Sequence, residues 1–205
     1  MKRLLPPKGL ENIIALTPSE VFDYIAHEMG ERYIIPLKVP REKERFLDDG
    51  RHYTKSNLNV CYAAPRSAGK PRNWYEMQLT VPTQTRNQAG YPKKGIPFFA
   101  VTDDGYGILL HTTSENNKQI APVGNDRLLG KWFKGRLIED GLIFPVDNTQ
   151  EDKERRGMVT REILEAYGCD AIVLRKTDLR VESPDNPLNS YEVWTMKLDK
   201  IGDEG

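Results

Sequence analysis

PFFAVTDDGYGILLH, residues Pro97 to His111, carries the hairpin signal at the centre of a β-rich chain. Two apolar runs, Pro97 to Val101 and Tyr106 to His111, flank Asp103-Asp104-Gly105. Apolar runs joined by Asp-Gly predict a β-hairpin, because glycine supplies the positive φ of a tight turn. Upstream, Tyr75, Met77, Leu79 and Val81 alternate with Glu76, Gln78 and Thr80, so regular β pattern is expected from Trp74 onward. A polar loop, Thr83 to Gly95, separates the two. Downstream, a helix is predicted from about Asp126 to Asp140, with Leu128, Leu129, Trp132, Phe133 and Leu137 on one face and Gly141 as its stop. Thr160 opens a short helix ending at Tyr167-Gly168, and strands are expected over Ala171 to Arg175 and Tyr191 to Leu198. Near the start, Thr17-Pro18-Ser19-Glu20 reads as a capping box, with Val21, Tyr24 and Ile25 as an apolar stripe and Gly30 as the stop. Residues 31–72, with prolines at 36, 40, 65 and 71 and a charge run from Arg41 to Arg51, are expected to be irregular. Several short strands with two helices in the β-rich part predict a mainly β fold, an open barrel with helices plugging its ends.

The chain has 205 residues, enough for one ample domain or a domain plus an appendage. No apolar stretch approaches a membrane span, and MKRLLPPKGL lacks the apolar core of a signal peptide, so no membrane partner is expected. Cys61 and Cys169 lie far apart without paired spacing, which disfavours zinc and favours a reduced cytoplasm; one disulfide between them stays open. The formal net charge of zero hides an asymmetry. Residues 65–136 hold 11 Lys+Arg against 5 Asp+Glu, a balance of +6, while residues 137–205 hold 9 against 16, a balance of −7. A neutral protein can bind a polyanion on one positive face, although surface charge also fluctuates without function.

The strongest candidate for chemistry is the loop Ser114-Glu115-Asn116-Asn117-Lys118-Gln119, read as lying between a strand and a helix. Asparagine pairs with the adenine edge, and lysine with guanine or a phosphate. Asparagine also tolerates turn geometry, so a plain tight turn is the competing reading. Arg127, Lys131 and Lys134, spaced i, i+4 and i+7, share a helix face that is either a phosphate contact or a solvated surface. Arg66, Lys70, Arg72, Asn73 and Tyr75 lie on an arm leading into the first strand; Arg86, Lys93 and Lys94 sit in the next loop among Asn87, Gln88 and Tyr91. The segment Asp147 to Arg156 mixes both signs and ends in Arg155-Arg156, and its acids can accept from cytosine N4. Lys176 completes the candidate DNA-binding set. Each of these loops is equally readable as ordinary connecting surface.

Enzyme signals are poor. His27-Glu28 is half of a zinc-protease motif, but position 31 is Glu where the second His is required. Cys169, with no nearby His, reads as a core residue. Asp170 with Arg175-Lys176 is a weak nuclease signal, and there is no glycine-rich phosphate loop.

The ordered set RNWYEMQLTVP, FFAVTDDG, TSENNKQI, LLGKWFKGRLIEDG and VTREILEAYGCDAIVLRKTD, followed by a final strand, resembles the C-terminal specificity domain of NgoFVII/NgoAVII-type restriction endonucleases. The resemblance spans roughly residues 57–200. It implies the B3-like DNA-binding pseudobarrel, as in plant transcription factors and the effector domains of EcoRII and BfiI, with two arms gripping the major groove of double-stranded DNA. Carried over, the arms fall within Ala63 to Tyr75 and Asp147 to Met158, with Asn116-Asn117-Lys118 on the same DNA face. In that family a separate phospholipase-D-like domain with a His-x-Lys motif does the cleaving. Here His27, His52 and His111 are followed two residues later by Met29, Thr54 and Thr113, so the nuclease is expected in another domain or subunit.

The division that follows is an N-terminal helix and arm over residues 1–56, a B3-like domain over 57–200 and a tail over 201–205. The expected function is sequence-specific DNA binding in a prokaryotic cytoplasm, with no cofactor in this chain. Two other readings stay open. One is a complete Mg²⁺-dependent nuclease drawing on Glu42, Glu44, Asp48 and Asp49. The other is a protein-interaction module of a restriction or defence complex.

Overall fold

Alternating burial and turn chemistry produce the elements of a mainly β fold in the computed structural model, which describes residues 13–46, 56–63, 70–147, 149–182 and 190–202. In chain order these are β1 (Ile13–Ala15), α1 (Pro18–Ala26), β2 (Glu28–Pro36), β3 (Leu79–Thr80), α2 (Thr83–Arg86), β4 (Phe98–Thr102), β5 (Tyr106–Thr113), β6 (Gln119–Pro122), α3 (Leu128–Glu139), α4 (Arg161–Tyr167), β7 (Ala171–Glu182) and β8 (Ser190–Asp199). They belong to two units interleaved along the chain. The first comprises Met1–Ile35, Val81–Asn125 and Ile172–Leu198; the second comprises Pro36–Thr80, Asp126–Ala171 and Asp199–Gly205.

The first unit is a mixed sheet in the order β2-β7-β8-β4-β5-β6, with β1 pairing β5 off that path. The strand order does not close on itself, so this is an open pseudobarrel. The hairpin forms where the sequence predicts it, pairing Phe98 with Leu110 and Val101 with Gly107. Gly105 takes φ 94 in the turn, and the Thr102 hydroxyl accepts from Tyr106 N at 2.8 Å. β8 lies parallel to β4 on its other side, pairing Phe98 with Glu192 and Thr102 with Met196. All five positions of β4 are buried, as befits a central strand. Phe98 and Tyr33 both pack on the Trp194 ring, at centroid separations of 5.6 and 5.3 Å. Val21 of α1 closes a second cluster with Phe99, Val101 and Val193. A Cβ at Gly107 would run into the Phe99 ring, so glycine there makes room for the aromatic across the pair.

The second unit rests on α3. Leu128, Leu129, Trp132, Phe133 and Leu137 are buried, as their spacing predicts, together with Trp74, Met77, Leu79 and Leu164. Its connecting segments are pinned by isolated backbone bonds rather than ladders: Leu37 N to Asp170 O at 2.7 Å, Gln78 N to Leu58 O at 3.2 Å, and Val159 N to Cys61 O at 2.9 Å. Gly130 sits flush against the chain at Tyr75; a Cβ there would overlap the Tyr75 carbonyl oxygen and lie 2.7 Å from its carbon.

Several expectations are corrected. Residues 28–36 form β2, so the segment after α1 is not irregular throughout. The capping box at Thr17 is present with both its hydrogen bonds, but α1 stops at Ala26 on a His27 cap, and Gly30 lies within β2 at φ 74. Met77, Leu79 and Val81 are buried in alternation, yet only Leu79–Thr80 joins a ladder, because alternating burial does not itself supply a pairing partner. The polar loop after β3 contains the single turn of α2. The Ser114–Lys118 loop leads into β6 rather than into α3. Lys134 is fully buried, so it cannot share a solvent-facing basic stripe with Arg127 and Lys131.

The two glycines of α3 make a paired test. Gly130→Ala is expected to lower stability by about 1–3 kcal/mol or more, because the backbone of Tyr75 must move. Gly135→Ala, where nothing lies within 4 Å of the added Cβ, is expected to raise it by about 0.5–1 kcal/mol through helix propensity. Urea unfolding of both variants checks the pair; a harmless Gly130→Ala would contradict the packing described.

Candidate nucleic-acid interface

The two arm segments singled out by sequence come together in the second unit, and hydrogen bonds join them. The first arm enters through Tyr62 and leaves through Trp74. Arg66 and its neighbours over residues 64–69 lie outside the described residues. The second arm runs from Asp147 to Met158. Tyr62 Oη donates to Asp152 Oδ2 at 2.8 Å and also lies 3.0 Å from Thr149 O. Thr149 Oγ1 donates to Ala63 O at 3.2 Å. At the far end, Trp74 Nε1 donates to Gly157 O at 2.8 Å. Tyr62, just ahead of the first arm, and Trp74 on it therefore hold the second arm at two points.

Asp152 organises the second arm. Besides Tyr62, it accepts from Arg156 N at 2.9 Å and Gly157 N at 2.8 Å. Its two oxygens are thus taken up within the protein, so Asp152 is not among the acids of this segment open to cytosine, whereas Asp147, Glu151 and Glu154 are exposed. Arg155 adopts φ 54, in the left-handed region. The guanidinium of Arg155 lies 5.6 Å over the Tyr62 ring, and that of Arg156 3.9 Å over Phe144.

Beneath the arms sits Lys134 of α3. Its Nζ donates to Trp74 O at 2.7 Å and lies 4.8 Å over the Trp74 ring. Burial drives its pKa down to about 7, against the opposing influence of Cys61. Cys61 and Cys169 are both buried and not joined to each other, so the disulfide left open by sequence is not formed, and Cys169 is the core residue expected.

On the first arm, Lys70 is exposed. Arg72 is ion-paired with Glu76. Asn73 Oδ1 accepts from Tyr75 N at 3.0 Å, turning the chain as it leaves the arm. Tyr75 packs edge-on to Trp74 at 4.9 Å, and burial raises its pKa.

The remaining candidates belong to the first unit. Asn116 and Asn117 both adopt φ 55, and Ser114 takes φ 66. Ser114 Oγ donates to Gln119 Oε1 across the loop base. The loop's carbonyls are held by the preceding polar loop and the residue after β3: Arg86 Nη1 donates to Asn116 O at 3.4 Å, Tyr91 Oη to Asn117 O at 3.3 Å, and Val81 N to Lys118 O at 2.8 Å. Asn116 and Lys118 are exposed, whereas Asn117 Oδ1 is buried with no hydrogen-bond partner among the described residues. The turn reading of these asparagines therefore has a structural basis of its own. Lys94 is exposed beside a bridge to Thr112. Lys176 is paired with Glu192 at 2.6 Å on the sheet.

The enzymatic alternatives gain little from the geometry. Glu42 pairs with Arg45 at 2.7 Å and Glu44 accepts from Arg41 N at 2.8 Å; Asp48 and Asp49 lie outside the described residues. His27 Nδ1 meets Asp178 at 2.8 Å, and Glu28 holds Arg175 and Thr195. Asp170 accepts from Ile201 N and Gly202 N at 2.8 and 3.0 Å. Among the described residues, no group of three or more His, Cys, Asp or Glu side chains is placed to hold a metal ion. No helix among them is long and apolar enough to cross a membrane.

Sequence reasoning missed Tyr62, Thr149, Asp152, Gly157, Phe144 and the inward turn of Lys134. Only Lys134 left a trace beforehand: it directly follows two buried aromatics, Trp132 and Phe133, within the apolar stretch of the helix.

Residues 26–177 match the family described as the NgoFVII C-terminal B3-like DNA-binding domain. The match covers well over half of the chain, and the chain belongs to that family. It is a DNA-binding domain. No curated protein matches it.

Two variants test this framework. Asp152→Ala removes the acceptor for Tyr62, Arg156 and Gly157, and is expected to cost about 1–3 kcal/mol in chemical unfolding; an unchanged midpoint would refute its role. Lys134 has a folded pKa near 7 against an ordinary 10.5, so between those values the unfolded chain binds the extra proton and stability rises with pH. Compared with Lys134→Met across pH 7 to 10, the wild type should gain stability with pH, by on the order of a few kcal/mol at most. Parallel pH profiles would mean that folding does not lower the Lys134 pKa.

Proposed function

We propose, from membership of a B3-like DNA-binding family, that this domain reads a short double-stranded sequence through the major groove as the specificity part of a restriction endonuclease. Cleavage then belongs to another domain or subunit, since the family resemblance places it on a His-x-Lys motif that this sequence lacks. The observation that carries the reading is the joining of two arms through Tyr62–Asp152 and Trp74–Gly157. Two loops fixed at a set spacing can enter one groove together without a large ordering cost on binding.

In this reading Lys70, Arg72, Asn73 and Tyr75 of the first arm, with Arg66, and Arg155 and Arg156 of the second supply the contacts. Arg86, Lys94, Asn116, Asn117, Lys118 and Lys176 extend the set. Asn116 and Lys118 are the exposed side chains of their loop, and Asn117 contributes mainly by shaping it. Arginines and lysines on phosphates provide affinity, and side chains at base edges provide specificity. Recognition requires no metal.

Selection from randomised duplexes by gel shift, at physiological salt without metal, tests the reading. Enrichment of one short motif is expected. Lys118→Ala is expected to weaken all duplexes alike and to shallow the salt slope by about 1, as loss of one phosphate contact does. Binding without enrichment, or plasmid cleavage by the purified chain with Mg²⁺, would contradict the proposal.

A further inference from the structure

The second arm ends in two adjacent arginines that the protein treats differently. Arg155 sits 5.6 Å over the buried ring of Tyr62. Arg156 lies 3.9 Å from the centroid of Phe144, within van der Waals contact, and Phe144 is left 49% exposed beside it. The backbone of Arg156 is held as firmly: its N–H donates to Asp152 Oδ1 at 2.9 Å and its carbonyl accepts from Phe144 N at 3.2 Å. No guanidinium N–H of Arg156 meets an acceptor among the described residues. Arg72 and Arg86, by contrast, already spend donors on Glu76 and on Thr83 and Asn116.

A long side chain normally loses much of its freedom when it binds. A ring beneath the guanidinium removes that freedom beforehand while leaving the donors open. A planar fork held at one orientation suits two parallel acceptors on a rigid partner. In the major groove that partner is guanine, through O6 and N7. A phosphate would not need it, since a flexible lysine serves as well.

We propose that Arg156, held on Phe144, reads a guanine in the target site, and that Phe144 is the positioning residue for this contact. The inference rests on the sequence-reading function proposed above.

The test is a selection from randomised duplexes followed by a competition series that changes each base pair of the selected site in turn. It is run on the wild type and on Phe144→Ala, Phe144→Leu, Phe144→Tyr and Arg156→Lys. The wild type is expected to discriminate at one G·C position by roughly tenfold or more, the range of a bidentate contact. Phe144→Ala and Arg156→Lys should both abolish discrimination at that same position, leaving the other positions and the salt slope unchanged. Phe144→Leu, apolar but without a π face, should behave like Phe144→Ala and replaces it if the alanine variant does not fold. Phe144→Tyr should restore the preference. If the variants keep the wild-type preference, or weaken all duplexes alike, or relax an A·T position, this inference alone is overturned. If the wild type enriches no motif, the proposed function fails and this inference with it.

Discussion

The indole of Trp74 is the point on which the second unit depends. It is wholly buried, its Nε1 donates to Gly157 O, its carbonyl accepts from the ammonium of Lys134, and its ring lies under that ammonium. One residue, through its indole and its main-chain carbonyl, thus fixes the end of one arm, the end of the other and the helix beneath both. A buried lysine is costly to desolvate, and a cost of that kind persists only where the partners are good. Here a carbonyl and an aromatic face answer the charge, and both belong to the same residue. Gly130 and Gly157 admit the close approaches that the arrangement requires, one against the backbone of Tyr75 and one beneath the indole.

The first unit solves a different problem. A central, fully buried β4 between β5 and β8 gives a frame from which two polar loops project. The loop of Asn116 and Asn117 is held by main-chain carbonyls bonded to Arg86, Tyr91 and Val81, so its shape depends on backbone and its exposed side chains remain available. The same asparagines that suit base reading also suit the left-handed backbone. Both demands select the residue type at those positions, which is why sequence leaves the choice open.

Much of the fold was legible because it follows local rules. The hairpin turn at Asp103-Asp104-Gly105, the capping box at Thr17, the apolar face of α3 and the αL stop at Gly168 each declare themselves within a few residues. β2 was not legible: the prolines and charges that follow it suggested a loop, and its pairing is decided by strands far away in sequence. The arms were found by resemblance, whereas the bonds joining them were not. Tyr62 to Asp152 spans ninety positions, and Asp152 sits in a run of mixed charge where nothing marks one acid as structural. Lys134 misled for a related reason. Its i, i+7 spacing from Arg127 describes a basic stripe well, but burial is set by Trp74, which the helix sequence does not contain.

The most direct test of the account is amide hydrogen exchange on the chain with and without an excess of bound duplex. If the joined arms are the DNA-binding surface, protection should appear in residues 70–75 and 149–158, with residues 98–102 of the sheet unchanged. Protection confined to the sheet strands, with both arms exchanging as in the free protein, would contradict it.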